Sequence, residues 1–243
     1  MQDKFNYIQH YKKDAKVFNY FQERPSGTAH DERRVRETIL NSLPKNYETV
    51  LDVGCGSAWV ARELLPKNKK ITSLDIAVTN VSKALKLYSG SNHFGLVSDS
   101  FNLSVKSDSF DVIIASEIIE HVPEPKDFVK ELFRVLKPGG VLIITTPYKE
   151  LLQFSLCIHC NKETPLHSHI HSFDEEILIS LYQKNDLKRC GYYRFGNKVL
   201  THLRIHIFLK YLPYKLWKLV DDLASLIIRK QNHIIVKYEK VKP

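Results

Sequence analysis

The stretch Thr49-Val50-Leu51-Asp52-Val53-Gly54-Cys55-Gly56-Ser57-Ala58-Trp59 constrains the fold more than any other part of the chain. It reads as a buried strand, a tight glycine turn and the start of a helix. Val50, Leu51 and Val53 form the short apolar run of a strand covered on both faces. Gly54 and Gly56 carry no Cβ, so the backbone can turn sharply and approach a ligand closely. The helix that follows would direct its free N–H groups at that ligand. A second strand, Lys70–Asp75, ends in an acid twenty-one residues after Gly54. An acid so placed can accept hydrogen bonds from ribose hydroxyls. The NAD fingerprint would require a third glycine at position 59, where this chain has Trp59, and no Gly-Lys-Ser/Thr follows to make a P-loop.

Strands and helices alternate on both sides of this stretch. Helices are expected over 29–43, 57–66, 78–89 and 125–137, and strands over 48–53, 70–75, 92–97, 110–115 and 140–146. Such alternation argues a parallel, doubly wound α/β sheet with right-handed crossovers. Ligands of these sheets bind beyond the carboxyl ends of the strands. Asp52, Asp75, Asp99 and Ser116 all fall at such ends. After Pro147 the alternation breaks. Residues 149–172 read as an insertion, 174–185 as a helix and 188–196 as a strand. Residues 197–230 read as a helical elaboration bent near Pro213, and 233–238 as a last strand. One domain accounts for residues 1–243, with a cofactor-binding core over 30–148.

Four motifs stand in order and in register: Leu51-Asp52-Val53-Gly54-Cys55-Gly56, Leu74-Asp75-Ile76, Phe110-Asp111-Val112-Ile113 and Leu136-Lys137-Pro138-Gly139-Gly140. Together they resemble the class I S-adenosylmethionine-dependent methyltransferases over roughly residues 30–148. Ala58 departs from the family's usual third glycine. The resemblance implies a Rossmann-like seven-stranded sheet whose last strand is antiparallel, and S-adenosyl-L-methionine as cofactor. It implies that Asp52, Gly54, Cys55 and Gly56 form the cofactor turn, with Ser116 nearby. Asp75 and Ile76 would flank the ribose, and Asp99 and Ser100 the adenine. The aromatic N-terminal segment (Phe5, Tyr7, Tyr11, Phe18, Tyr20, Phe21) would be a helical flap over the site or would pack on the core.

A second informative stretch is Ala115-Ser116-Glu117-Ile118-Ile119-Glu120-His121-Val122-Pro123. Positions three and four apart meet on a helical turn, so Glu117, Glu120 and His121 can converge. Two carboxylates and an imidazole suit a divalent metal, or a general base with an orienting acid. The pattern resembles that of ubiquinone-pathway methyltransferases and small-RNA 2′-O-methyltransferases, in which Glu-x-x-Glu-His supplies metal ligands. A further histidine completes the set there, and His169 or His171 would fill that place here. Three roles stand open for His121: metal ligand such as for magnesium, metal-free base, or structural residue.

The insertion holds Cys157-Ile158-His159-Cys160 and His167-Ser168-His169-Ile170-His171. One C-x-x-C with nearby histidines can form a structural zinc site. Similarity to an insertion in some bacterial methyltransferases favours Cys157, Cys160 and His169, with His167 or His171 as fourth ligand. The two metal readings compete for His169.

Residues 188–243 carry thirteen Lys/Arg against three Asp/Glu, while 1–187 are nearly balanced at twenty-three against twenty-four. That asymmetry points to an anionic partner or to a solvated basic face. Within it, 209–229 is amphipathic: Leu212, Leu216, Trp217, Val220, Leu223, Leu226 and Ile227 recur at helical spacing. It would lid the substrate site or lie on an anionic membrane. No run of about eighteen uncharged apolar residues is present to span a bilayer, and Met1–Phe5 opens no signal-peptide core. Four cysteines with one C-x-x-C fit a reducing cytoplasm, with peripheral contact at the inner face of a membrane as an option. The expected activity is methyl transfer to an oxygen of a small-molecule, lipid-linked or glycan acceptor. RNA 2′-O-methylation is the alternative enzyme reading, and a non-catalytic cofactor-binding protein the second alternative.

Overall fold

A computed structural model of the chain describes residues 5–22 and 24–242. Met1–Lys4, which bear on the signal-peptide reading, lie outside the described residues, as do Glu23 and Pro243. The helices are α1 (Tyr7–Val17), α2 (Ser26–Ser42), α3 (Trp59–Leu64), α4 (Val78–Leu87), α5 (Pro125–Val135), α6 (Glu175–Ser180), α7 (Lys198–His202), α8 (His206–Leu209) and α9 (Tyr214–Ile227). The strands are β1 (Thr49–Val53), β2 (Lys70–Asp75), β3 (His93–Val97), β4 (Phe110–Ser116), β5 (Leu136–Pro147), β6 (Phe154–Leu156), β7 (Glu163–Pro165), β8 (Leu187–Asn197) and β9 (Gln231–Lys240).

Seven strands form one sheet in the order β3-β2-β1-β4-β5-β9-β8, and β6 and β7 form a separate hairpin. The five strands β1 to β5 run parallel, and β9 is antiparallel to both of its neighbours, β5 and β8. Strand order reverses beside β1, which puts the switch point next to the glycine turn.

Side-chain alternation explains why both faces are covered. Leu51, Val53, Ile113, Ala115, Leu142 and Ile144 face α5 and α6 in one core layer. Val50, Val112, Ile114, Val141 and Ile143 face α2, α3 and Trp217 of α9 in the other. α5 is held by Phe128, Val129, Leu132 and Phe133, all buried at helical spacing. α3 begins at Ala58, whose φ of 53° is left-handed. That conformation explains why a glycine suits this position, and why alanine, the smallest residue with a Cβ, can stand in for it.

The elaboration is helical and breaks at Pro213, the N-cap of α9, as expected, and it divides further into α7 and α8 after β8, which runs on to Asn197. Arg204, at φ 57°, sits in the break between α7 and α8. Within the insertion, 154–165 forms the β6–β7 hairpin.

Candidate active site

A cavity of about 220 Å³ opens beyond the carboxyl ends of β1, β2 and β4. Gly54, Gly56, Asp75, Ile76, Asp99 and Ser100 line its floor, with Glu117, Ile118 and His121 on the far side. Gly54 and Gly56 both have positive φ, and a Cβ on Gly54 would fall 2.3 Å from Ile118 Cδ1. Asp75 accepts the N–H of Ala77 at 2.9 Å, the amide of Asn80 at 3.0 Å and the N–H of Gly56 at 3.4 Å. Burial raises its carboxyl above the usual range despite these donors.

Three residues expected at the cofactor do not line this cavity. Cys55 is buried, and its N–H donates to Leu74 O, so it ties β1 to β2 and stays off the cavity wall. Ser116 accepts a hydrogen bond from Thr145 at the β4–β5 junction and does not line the cavity. Asp52 lies beneath the turn with Oδ2 unpartnered. Burial, then the charge of Asp75, pushes its pKa up to about 8.

α1 covers this cavity. Tyr7 donates to Asp99 at 2.5 Å, and Tyr20, which donates to Asp14, lies 3.6 Å from where a Gly56 Cβ would be. Tyr11 meets the His121 ring edge-on at 5.8 Å. Of the N-terminal aromatics, Tyr7, Tyr11 and Tyr20 thus line the cavity, whereas Phe21 packs on the core. The sequence reading left this open and did not name these cavity-facing hydroxyls or Asn80 as site residues. Asn80 has a sequence signal, since it sits in the first turn of the helix that follows Asp75.

The turn after β4 bears the second group. Glu117 has φ 54°, a left-handed conformation uncommon for a residue with a side chain. Its Oε2 lies 3.3 Å from His233 Nδ1, an ion-pair contact rather than an aligned hydrogen bond. Burial opposes the charge on His233, but Glu117 outweighs it and raises the imidazole pKa. Burial likewise opposes the charge on Glu117, and His233 more than offsets it, so its carboxyl is held low. Glu120 is 1% exposed. Its Oε2 accepts from Thr146 at 3.0 Å and its Oε1 has no partner. Burial and the neighbouring Glu117 drive its pKa well up.

The end of the insertion docks on this turn. The N–H groups of Ile170 and His171 donate to Glu120 O, and His171 Nε2 reaches Pro123 O at 3.4 Å. His121 Nδ1 lies 3.2 Å from Ser168 O. A carbonyl only accepts, so Nδ1 carries the proton and Nε2 presents a lone pair. Burial and the nearby His169 push the His121 pKa down to about 4. His169 Nδ1 is 2.5 Å from Glu150 Oε2.

One atom each from Glu120, His121 and His169 lies within 4.8 Å of the others, and this is the one such metal-capable group among the described residues. His169, not His171, is therefore the histidine brought to the Glu-x-x-Glu-His turn. The zinc set Cys157, Cys160, His167 and His169 is not brought together. Cys157 and Cys160 sit at the tip of the β6–β7 hairpin, and His169 pairs with Glu150. His167 lines both the first cavity and a second, of about 490 Å³. Asp31, Glu150, His169, Lys198, Asn232 and His233 also line the second. The histidine cluster stands between the two.

Residues 51–144 match a family described as a methyltransferase domain. Over this segment the chain is similar to methyltransferase domains. Relatives include a ubiquinone biosynthesis O-methyltransferase of Xylella fastidiosa (strain 9a5c), 30% identical over 49% of this chain and 50% of the relative. A malonyl-[acyl-carrier protein] O-methyltransferase of Enterobacter lignolyticus (strain SCF1) is 28% identical over 47% of this chain and 45% of its own. The chain thus spans about half the length of the curated relatives it matches. An S-adenosylmethionine-dependent methyltransferase from Mesorhizobium loti shares the fold with a TM-score of 0.57 and 13% identity, covering 86% of this chain and 99% of that one. The [4+2]-cyclase SpnF shares it too, with a TM-score of 0.60 and 16% identity over 97% of this chain and 95% of that one. Two differently named activities on one fold mean that function must be argued from the site.

Proposed function

We propose that the chain transfers a methyl group from S-adenosyl-L-methionine to an oxygen of a small-molecule, lipid-linked or glycan acceptor. The observation that carries this reading is His121. It lines the glycine-floored cavity with Nε2 unprotonated, and its neighbour His169 lines the larger polar cavity. The O-methyltransferase names of the relatives support an oxygen as the methylated atom.

The residues of the first cavity fit the cofactor. The positive-φ glycines leave its floor without side chains, and Asp75 offers carboxylate oxygens at its edge. Asp75 would hold the ribose hydroxyls, and Asp99 and Ser100 the adenine end. The cofactor, when bound, supplies a methyl group already activated on a sulfonium. The protein's work is then to position an acceptor hydroxyl and remove its proton. Ser168 O fixes the tautomer of His121, so Nε2 can take that proton. General-base catalysis of this kind is worth about 10²–10⁴-fold.

Glu120, His121 and His169 also fit a divalent cation. Glu120 Oε1 is buried and unpartnered, and Glu150 orients His169 as carboxylates commonly orient metal-bound histidines. A bound cation would lower the pKa of an acceptor hydroxyl. His121 would then serve as ligand rather than base.

Titration with S-adenosylhomocysteine, elemental analysis and turnover with and without EDTA test these readings together. Expected are tight cofactor binding and its loss in Asp75→Ala. His121→Ala should bind cofactor normally and lose turnover. Failure of the wild-type protein to bind cofactor would refute the proposal. Turnover that EDTA abolishes and magnesium or manganese restores would make His121 a ligand. RNA 2′-O-methylation, the second enzyme reading, is favoured by the basic 188–243 segment. It predicts RNA binding that weakens steeply with salt.

A further inference from the structure

α9 has two apolar faces. Trp217, with Val220 beside it, packs on the core. Leu216, Leu219, Leu223, Leu226 and Ile227 are each more than half exposed, Leu226 and Ile227 at 74% and 84%. At 3.6 residues per turn these five fall within roughly 100° of the helix circumference, on the side away from Trp217 and Asp221. Leu203, Phe208 and Tyr211 in the preceding turns are also exposed. Single exposed leucines are ordinary, but an ordered stripe of five on one helix marks a contact surface.

The charge around this stripe is mostly positive. Arg204, Lys210, Lys215, Arg229 and Lys230 belong to the same segment. Of its two acids only Asp221 is inside, and the partly exposed Asp222 is ion-paired to Lys218. Asp221 is buried and accepts the N–H groups of Gly196 and Asn197 at 3.0 and 2.6 Å. Asp222 accepts from Tyr193 Oη and from Lys218 Nζ. The segment therefore offers cations and apolar side chains, and its carboxylates are engaged.

We propose that α8 and α9 dock the protein on an anionic lipid bilayer surface, with the leucine stripe at the acyl boundary and the cations at the headgroups. Charge complementarity selects this occupant. A second copy meeting the stripe across a two-fold axis would bring the same cations face to face, which is unfavourable. No helix among the described residues is long and apolar enough to cross a membrane, so the contact is interfacial. α7 leads into this segment, and its Lys198 and Thr201 line the second cavity. Docking would set that cavity near the membrane surface.

The test is co-sedimentation of the full chain with vesicles of phosphatidylglycerol and phosphatidylcholine, against phosphatidylcholine alone. Binding is expected to the anionic vesicles at low salt and to fall at high salt. Each cation near such a surface changes partitioning roughly fivefold. Leu219→Glu/Leu223→Glu should abolish sedimentation without changing the melting temperature or S-adenosylhomocysteine affinity. Lys215→Glu/Arg229→Glu should weaken it at least tenfold. No sedimentation of the wild-type chain with anionic vesicles at low salt would overturn the proposal, as would full binding by the leucine variant. A dimer that the leucine variant dissociates, with no vesicle binding, would make the stripe a self-interface and overturn it too.

Discussion

Gly54→Ala and Gly56→Ala make a matched pair of perturbations in the cofactor turn. Both glycines have positive φ, 66° and 43°. An alanine at either position pays the left-handed penalty of about 1–2 kcal/mol. Both also gain the same few tenths from a less flexible unfolded chain. The two sites differ in what the new methyl meets. At Gly56 the nearest atom is Tyr20 Cδ1 at 3.6 Å, an ordinary contact. At Gly54 it is Ile118 Cδ1 at 2.3 Å, with Cγ1 at 2.9 Å. Rotation about χ2 moves Cδ1 but leaves Cγ1 in place, so χ1 or the backbone of the turn after β4 must give. Overpacking of this kind costs roughly 1–3 kcal/mol. Gly54→Ala should therefore be less stable than Gly56→Ala by about that amount. For a chain of this length the difference corresponds to roughly 2–10 °C in melting temperature. Thermal and urea unfolding measure it directly. Ile118→Ala in the Gly54→Ala background should recover most of the difference, as a double-mutant cycle would show. Equal melting of the two glycine variants, or no recovery with Ile118→Ala, would refute the steric argument.

Arg34 is 2% exposed and donates to Leu209 O at 2.6 Å, Leu212 O at 3.1 Å and Glu37 at 2.6 Å, with its guanidinium 4.9 Å above the Trp217 ring. Arg34→Ala should cost roughly 2–4 kcal/mol in urea unfolding, because it leaves the Leu209 and Leu212 carbonyls without their donor, while Glu37 keeps its pair with Arg33. The Glu117–His233 pair gives a pH signature. Glu117 is held low, so its contribution is present above its unfolded pKa and is lost as pH falls through the folded one. His233 is held high, so its contribution is full below its unfolded pKa and is lost as pH rises through the folded one. The stability gap between wild type and His233→Gln should therefore be widest in the mildly acidic range between the two unfolded values, and a flat gap from pH 4 to 9 would contradict the pairing. Tyr7→Phe removes one hydroxyl of the lid, and cofactor on- and off-rates by stopped flow should both rise, with unchanged rates as the contrary result.

The sheet and the cofactor turn were legible because their signals are local. Five strands carry short apolar runs, and the turn carries Gly54, Gly56 and an acid at a fixed distance. Asp75 follows from its distance to the turn, and Asp99 from the family resemblance; both line the cavity. Spacing says less where a residue's place depends on which way the backbone points. Cys55 lies between the two glycines, yet its N–H closes β1 onto β2. Ser116 ends β4, but its hydroxyl turns to Thr145. Long-range partners were out of reach: Tyr7 meets Asp99 across 92 residues, and His233 arrives from the last strand. In the C-terminal elaboration Pro213 marks the start of α9, but helical spacing does not reveal the left-handed Arg204 or that the apolar positions of α9 serve two faces.

β9 inserts between β5 and β8 and pairs with both along nearly its whole length. Val141 of β5 waits for Glu239, almost a hundred residues later. A ribosome therefore delivers β1 to β5 well before the strand that covers the outer edge of β5. Until then that edge, twelve residues long and rich in Val, Leu and Ile, stands open to pairing with another nascent chain. His233 travels on the late strand, so Glu117 lacks this partner until the sheet closes. Synthesis order thus makes the arrival of one strand both the end of the aggregation-prone interval and the moment at which the charge balance of the site is set.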